Sequence, residues 1–422
     1  MSEIHPSTIG APGRRQFSPL SPVAAVSVQP TWRFVSGAVL VVALLFGLSQ
    51  AVTHTWLCDD AFISFRYAQN LAAGLGLVYN AGEFVEGYSN FLWTVILALG
   101  IRFGASPEAL SQVLGVASFV AAAVTLAWFS WRRRGLRGGL FLPLAACAFL
   151  IQRDAQVFAT GGLETGFVAL LITIAFASLA LARNRRSYLI AGTALGVAAL
   201  TRMDTLAIAA GAVACQWLCR RETLRPMLWL TAPVALLFVP YWLARFFAYG
   251  YILPNTYYAK SADLSWWSQG LEYLALYLKT YPALALIPVI VLTIALRTTR
   301  NGSTKASLPV SRAELRGGRF PLWLALAMSL PYTLLIVKVG GGFMFARLLI
   351  PITPLALVAL EEGALALLRS RAGKIAVAVA LIALLAVRIN QINAYEHISG
   401  IADEVNYYPN QRQQLMRSAG LA

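Results

Sequence analysis

Charge is scarce in this chain, and histidine and cysteine are scarcer. Only 12% of its 422 residues are Asp, Glu, Lys or Arg against 58% hydrophobic, and the mean hydropathy is +0.66. That balance excludes a soluble globular enzyme of this size. Four cysteines, Cys58, Cys147, Cys215 and Cys219, are too scattered for a disulfide framework, and none is spaced with histidine as in a zinc site. No G-x-x-x-x-G-K-S/T run is present, nor a G-x-G-x-x-G between a strand and an acidic residue, which argues against direct nucleotide use. Acidic residues number 18 against 34 Lys and Arg, a net charge of +16. The basic clusters do not interleave with aromatics as a nucleic-acid surface would, so no nucleic-acid partner is expected.

What the chain does have is a succession of apolar runs. Residues 1–33 are polar and rich in proline and read as a disordered cytoplasmic lead. The run Phe34–Val52 follows Arg14, Arg15 and Arg33, the pattern of a first membrane helix with its N-terminus inside; a signal peptide cleaved near Ser49-Gln50-Ala51 is the alternative. Further runs lie at 88–104, 108–131, 139–152, 166–182, 187–200, 205–219, 226–247, 281–297, 321–338, 347–368 and 374–390. The basic clusters between them belong on the cytoplasmic side. They do so only if 88–104 enters from the outer face without crossing. The expected fold is therefore an all-α polytopic bundle of about eleven transmembrane helices with interfacial helices in the first outer loop. The membrane domain spans 34–390, with outer loops at 54–107 and 248–280, and residues 391–422 form an outer C-terminal tail. A multi-pass protein of a bacterial inner membrane, in contact with its lipids and with its working face outside, is the expectation.

In that topology Asp59, Asp60, Glu83, Glu86, Glu108, Asp154, Glu164, Asp204, Asp263 and Glu272 fall on the outer side. Carboxylates at membrane level are costly unless they pair or line a wet cavity, so their gathering marks a site, or else balances interfacial Arg and Lys. Asp59-Asp60 opens an interfacial helix. One of them suffices as a cap, which leaves the other to accept a hydroxyl proton or bind a cation. Adjacent carboxylates can also hold Mg²⁺, Mn²⁺ or Ca²⁺ through oxygen, which leaves a divalent cation open as the one cofactor to consider.

The stretch Asp59–Trp93, DDAFISFRYAQNLAAGLGLVYNAGEFVEGYSNFLW, resembles the first outer loop of the actinobacterial terminal arabinofuranosyltransferases, polytopic glycosyltransferases of the GT-C class. Further blocks follow in the family's order: Gly162-Leu163-Glu164-Thr165, Thr201-Arg202-Met203-Asp204, Tyr249 to Lys260, and Lys338 to Met344 with Arg347. The resemblance implies transfer of a sugar from a polyprenyl phosphate donor to an acceptor at the outer face, with Asp59 or Asp60 as base. It also implies that Glu86, Glu164, Arg202, Asp204, Asn255, Tyr257, Tyr258, Lys260, Lys338 and Arg347 bind substrate. Gly342 stands where the family tends to have Asp, and Met203 where proline is common. The chain also stops about thirty residues after its last run, without a large outer C-terminal domain, a layout that resembles pilin arabinosyltransferases. A glycan or a pilin-like protein is therefore the expected acceptor.

The residue types suit that chemistry. Arg202 and Arg347 are fitted to bidentate phosphate contact and Lys260 and Lys338 to point-charge neutralisation, while each also suits an interfacial anchor. Tyr257 and Tyr258 after the Pro254-Asn255 turn offer flat faces and hydroxyls for a sugar, or belong to an aromatic belt. A transporter or flippase for a lipid-linked sugar is the competing reading. It would place charges at mid-membrane in repeated halves, and no repeat is found.

Overall fold

The computed structural model describes residues 30–134, 143–220, 224–259, 264–300, 318–368 and 400–403, with scattered positions between 370 and 383. The expectations for the 1–29 part of the lead, Lys260, Asp263, most of the last apolar run and the tail other than 400–403 lie outside the described residues, as does the segment 301–317. Among those described there is no β-strand, only one isolated parallel bridge between Met344 and Ala402.

The first half of the chain folds as helices α1 (Pro30–Thr53), α2 (Asp59–Ala72), α3 (Phe91–Arg102), α4 (Pro107–Arg134), α5 (Leu144–Ile151), α6 (Arg153–Thr160), α7 (Thr165–Ala180) and α8 (Arg185–Thr201). After a 3₁₀ turn at Met203–Thr205 come α9 (Leu206–Cys215), α10 (Leu224–Tyr249), α11 (Asn255–Ala259), α12 (Trp267–Thr280), α13 (Leu286–Arg300), α14 (Phe320–Lys338) and α15 (Thr353–Leu367). Local chemistry sets the ends. The α4 helix starts on Pro107 with Ser106 Oγ accepting from Ala109 N at 3.2 Å, carries Glu108 in its first turn and ends on Arg132, Arg133 and Arg134, so both ends complement the helix dipole. Asn184 caps α8 by accepting from Ser187 N at 3.2 Å.

Five described helical stretches are long and apolar enough to cross a membrane: Phe34–Thr53, Pro107–Arg134, Leu224–Tyr249, Phe320–Lys338 and Ile350–Leu367. A sixth is reached if α6 and α7, bent by 118° at their junction, count as one broken span. The chain is a multi-pass membrane protein. The runs at 139–152, 166–182, 187–200, 205–219 and 281–297, expected to cross, form described helices of fewer than 18 residues; α3, in the run expected not to cross, has twelve residues and reaches only about 18 Å, short of the ~30 Å hydrocarbon core.

Without a hydrophobic force between helices in lipid, close backbone approach holds the bundle together. A Cβ built on Gly192 of α8 would collide with the Leu230 carbonyl of α10, and one on Gly211 of α9 would collide with the Ala327 carbonyl of α14. These two contacts bring α8, α9, α10 and α14 together around the residues that follow Thr201.

Candidate active site

Four breaks in the helical bundle meet at one place. The first is the start of α2. Its second residue, Asp60, pairs with Arg347 Nη1 at 2.8 Å, while Asp59 Oδ1 accepts from Asp60 N at 2.7 Å. The second is the α6–α7 turn, where Gly162 takes a left-handed φ of 81°, and a Cβ there would meet Ala61 Cβ at 2.8 Å. Cys58 N donates to Gly161 O at 3.1 Å and Trp93 Nε1 to Gly162 O at 3.1 Å, which locks this turn against α2 and α3. Glu164 is thereby fixed, fully buried, behind Asp60.

The third break separates α8 from the 3₁₀ turn. Arg202 is extended there, its carbonyl taken by Thr205 Oγ1 at 2.7 Å. Its guanidinium bridges Glu164 Oε1 at 2.9 Å and Asp204 Oδ2 at 2.5 Å. The fourth is the loop after α14, where Gly340 and Gly341 have positive φ and side chains there would strike Trp266 and Tyr273. Tyr273 hydroxyl donates to Met344 O at 3.1 Å and accepts from Leu348 N at 3.2 Å, gripping both sides of Arg347. Arg347 also approaches Glu164 at 3.8 Å.

The result is an alternating chain, Asp60–Arg347–Glu164–Arg202–Asp204. Its middle is buried and its end carboxylates are 26% and 22% exposed. Burial by itself opposes ionisation of Glu164, but Arg202, Arg347 and a 2.8 Å bond from Asn90 Nδ2 outweigh it and hold the carboxyl at about 2. Burial likewise works against the charge on Arg347, and Glu164 and Asp60 more than offset it, so the guanidinium is held above its ordinary value.

The sequence candidates thus divide. Asp59, Asp60, Glu164, Arg202, Asp204 and Arg347 come together. Glu86 belongs to a second cluster with a residue not singled out from the sequence: Arg245 Nε and Nη2 clasp both its oxygens at 2.7 Å, each side chain 1% exposed. Arg245 also donates to the carbonyls of Tyr251, Ile252 and Leu253, and Glu86 accepts from Asn255 N at 3.2 Å. Glu86 is therefore enclosed and shapes the 251–255 turn. Tyr257 and Tyr258 follow on α11, their rings 5.5 Å apart. Lys338 ends α14, where its carbonyl accepts from Trp266 N at 2.8 Å, and among the described residues its ammonium makes no ion pair.

Asn90 and Ser64 join the site without being sequence candidates. They exchange bonds at 3.1 and 3.0 Å and tie α2 to Glu164, and neither residue type stands out in a sequence. The segment Gly400–Asp403 returns to the site as well. Phe345 N donates to Ala402 O at 2.9 Å, Ala402 N to Phe343 O at 2.8 Å, and Asp403 pairs with Arg153 at 3.1 Å.

Among the described residues no group of three or more His, Cys, Asp or Glu side chains is arranged to hold a metal ion. The clustered carboxylates are interleaved with Arg202 and Arg347, whose charges stand where a cation would, so they do not form a ligand set for a resident divalent ion.

With this geometry in hand, comparison with known proteins places the fold first. The chain is similar to the crystal structure of ArnT from Cupriavidus metallidurans bound to undecaprenyl phosphate, with a TM-score of 0.54 at 16% identity, covering 93% of this chain and 70% of that one. The fold is a polytopic membrane bundle of GT-C type. In sequence the chain is similar to the terminal beta-(1->2)-arabinofuranosyltransferases of Corynebacterium glutamicum, 28% identical over 333 residues, 72% of this chain and 48% of that protein, and of Mycobacterium tuberculosis, 27% identical over 335 residues, 74% and 53%. The chain spans about half the length of these curated relatives. No protein-family model matches it. The resemblance read from its motifs is borne out.

Proposed function

We propose that this chain is an integral-membrane glycosyltransferase that moves a sugar, arabinofuranose on the strength of its relatives' activity, from a polyprenyl monophosphate to an acceptor hydroxyl at the outer face of the inner membrane. The observation that carries this reading is the open-ended ion chain: four segments far apart in sequence, each matching a block of the resemblance, converge on it. In the reaction the acceptor oxygen attacks the anomeric carbon, the bond from that carbon to the phosphate oxygen breaks, and the hydroxyl proton passes to a carboxylate. The Asp59–Asp60 pair at the start of α2 supplies that carboxylate. Arg347 and Arg202 supply positive charge where the leaving phosphate gathers negative charge. The exposed aromatics Tyr251, Tyr258, Trp266 and Trp267 suit a rim at headgroup level where the lipid tail approaches from the side. Either a glycan or a protein such as pilin offers the hydroxyl required.

The test is transfer from radiolabelled polyprenyl-phosphate arabinose to endogenous acceptors in membranes holding the wild-type chain or Asp59→Asn/Asp60→Asn. Label should reach an acceptor in the wild type and vanish in the variant at equal protein level, and the nature of the labelled product identifies glycan or protein. Movement of the lipid across the bilayer without any acceptor-linked product would replace the transferase by a flippase.

A further inference from the structure

Tyr332 lies six residues before the end of α14 and is fully buried, 0% exposed. Its hydroxyl has no hydrogen-bond partner, and it sits close enough to Asp204, Arg202 and Glu164 to feel their charges. Packing does not account for it, because phenylalanine would fill the same space without stranding a polar atom. A second polar atom beside the same cluster is in the same condition: Nε of Arg347 is buried and unpartnered, although Nη1 of that side chain binds Asp60. Glu164 and Arg202 lie near both groups. Arg Nε can only donate, and the tyrosine hydroxyl, facing a cluster whose carboxylates are already bonded to arginines, has a hydrogen to give. Two unfilled donors around one buried cluster call for acceptor oxygens from outside the protein.

We infer that the Tyr332 hydroxyl is a substrate contact, donating with Arg347 Nε to oxygens of the sugar-phosphate headgroup that the ion chain receives. The inference rests on the proposed transferase reading for the identity of the ligand and on the two orphaned donors for the place. The oxygen comes from the phosphate or from a sugar hydroxyl, and the two sources are separable.

The experiment compares the full-length purified wild type with Tyr332→Phe in lipid nanodiscs, using two probes, polyprenyl phosphate and polyprenyl-phosphate arabinofuranose, and reading binding, transfer and melting temperature. Tyr332→Phe should melt at or above the wild type, since it loses only an unpartnered hydroxyl, and should bind about 10- to 100-fold more weakly. Weakening for both lipids assigns the oxygen to the phosphate; weakening for the sugar-bearing lipid alone assigns it to the sugar. Equal affinity of the two proteins for both lipids overturns the contact. So does a lower melting temperature, which would mean that the hydroxyl makes a structural bond after all. A wild type that binds the lipids and loses affinity on substitution, yet transfers nothing, would refute the transferase reading and leave the contact standing; a wild type that binds neither lipid would refute both.

Discussion

Two arginine–carboxylate clusters flank the segment from Glu86 to Asn90, and they are built to opposite ends. Glu86 and Arg245 form a closed pair, each 1% exposed, with the spare donors of the guanidinium taken up by three successive backbone carbonyls. The chain from Asp60 to Asp204 is open: its two end carboxylates reach solvent, and two donors, Arg347 Nε within it and the Tyr332 hydroxyl near it, remain unfilled. A pair of this kind can hold shape and little else, because every guanidinium proton already has an acceptor. An open chain keeps capacity for a ligand. The difference teaches that charge type does not separate the two clusters in this fold, whereas the exposure of the end carboxylates and the state of their donors do.

The comparison breaks first at the Asp59–Asp60 pair. If the open chain is the catalytic one, Asp59→Asn/Asp60→Asn lowers the transfer rate by about 10²- to 10⁴-fold, the usual contribution of a general base, at equal protein level. The same readouts invert at the closed pair. Glu86→Gln leaves the Arg245 charge buried without its partner, a loss of about 3–5 kcal/mol of stability, measured as a drop in melting temperature and in folded yield. The double substitution Glu86→Leu/Arg245→Met recovers most of that loss, since a buried ion pair replaced by apolar groups is often neutral. A Glu86→Gln protein that melts as wild type but transfers nothing would show that the closed pair takes part in the chemistry, and hydrogen-bond satisfaction would no longer tell the two clusters apart. A smaller effect is expected at the returning segment. Asp403→Asn weakens one partly exposed ion pair to Arg153, so the loss should be about 1 kcal/mol, with a few-fold fall in transfer through the loop that carries Arg347.

Much of this is legible in the amino-acid sequence alone. The all-helical membrane bundle follows from composition, and six of the candidate residues meet because their motifs sit at helix breaks, where glycine at 162, 340 and 341 or the extended Arg202 interrupts an apolar run. Partnership is harder to read. Glu86 looks from sequence like Asp59 and Asp60, and only Arg245, an arginine inside the apolar run 226–247, hints that a buried partner waits for it; a charge at that depth is itself a signal. The same signal marks Glu361 and Glu362 in the run 347–368, which pair with Arg133 and Arg134 at the end of α4 opposite Glu108. Tyr332 gives no signal, since a tyrosine in an apolar helix reads as packing until its hydroxyl is seen to be alone. The span count suffers for another reason: hydropathy counts apolar runs, whereas crossing depends on unbroken helix length, which glycine and polar breaks cut short in α5, α7 and α9.

The finest distinction between the two clusters concerns pH. Burial would raise the Glu164 carboxyl, yet Arg202, Arg347 and Asn90 hold it at about 2 in the folded protein, below the ordinary ~4.3 of a glutamate. A carboxyl whose folded value is depressed contributes stability fully above its unfolded value and loses that contribution as pH falls through the folded one. Between about pH 5 and 9 the Glu164 contribution is therefore constant. Glu164→Gln should lower the melting temperature by the same amount at every pH in that window, and the gap to wild type should close only below about pH 4.3, as wild-type Glu164 takes up its proton on unfolding. A gap that already narrows between about pH 7 and pH 5 would mean that Glu164 is not held ionised by the two arginines, and the alternating chain would not be the charged structure on which the proposed site depends.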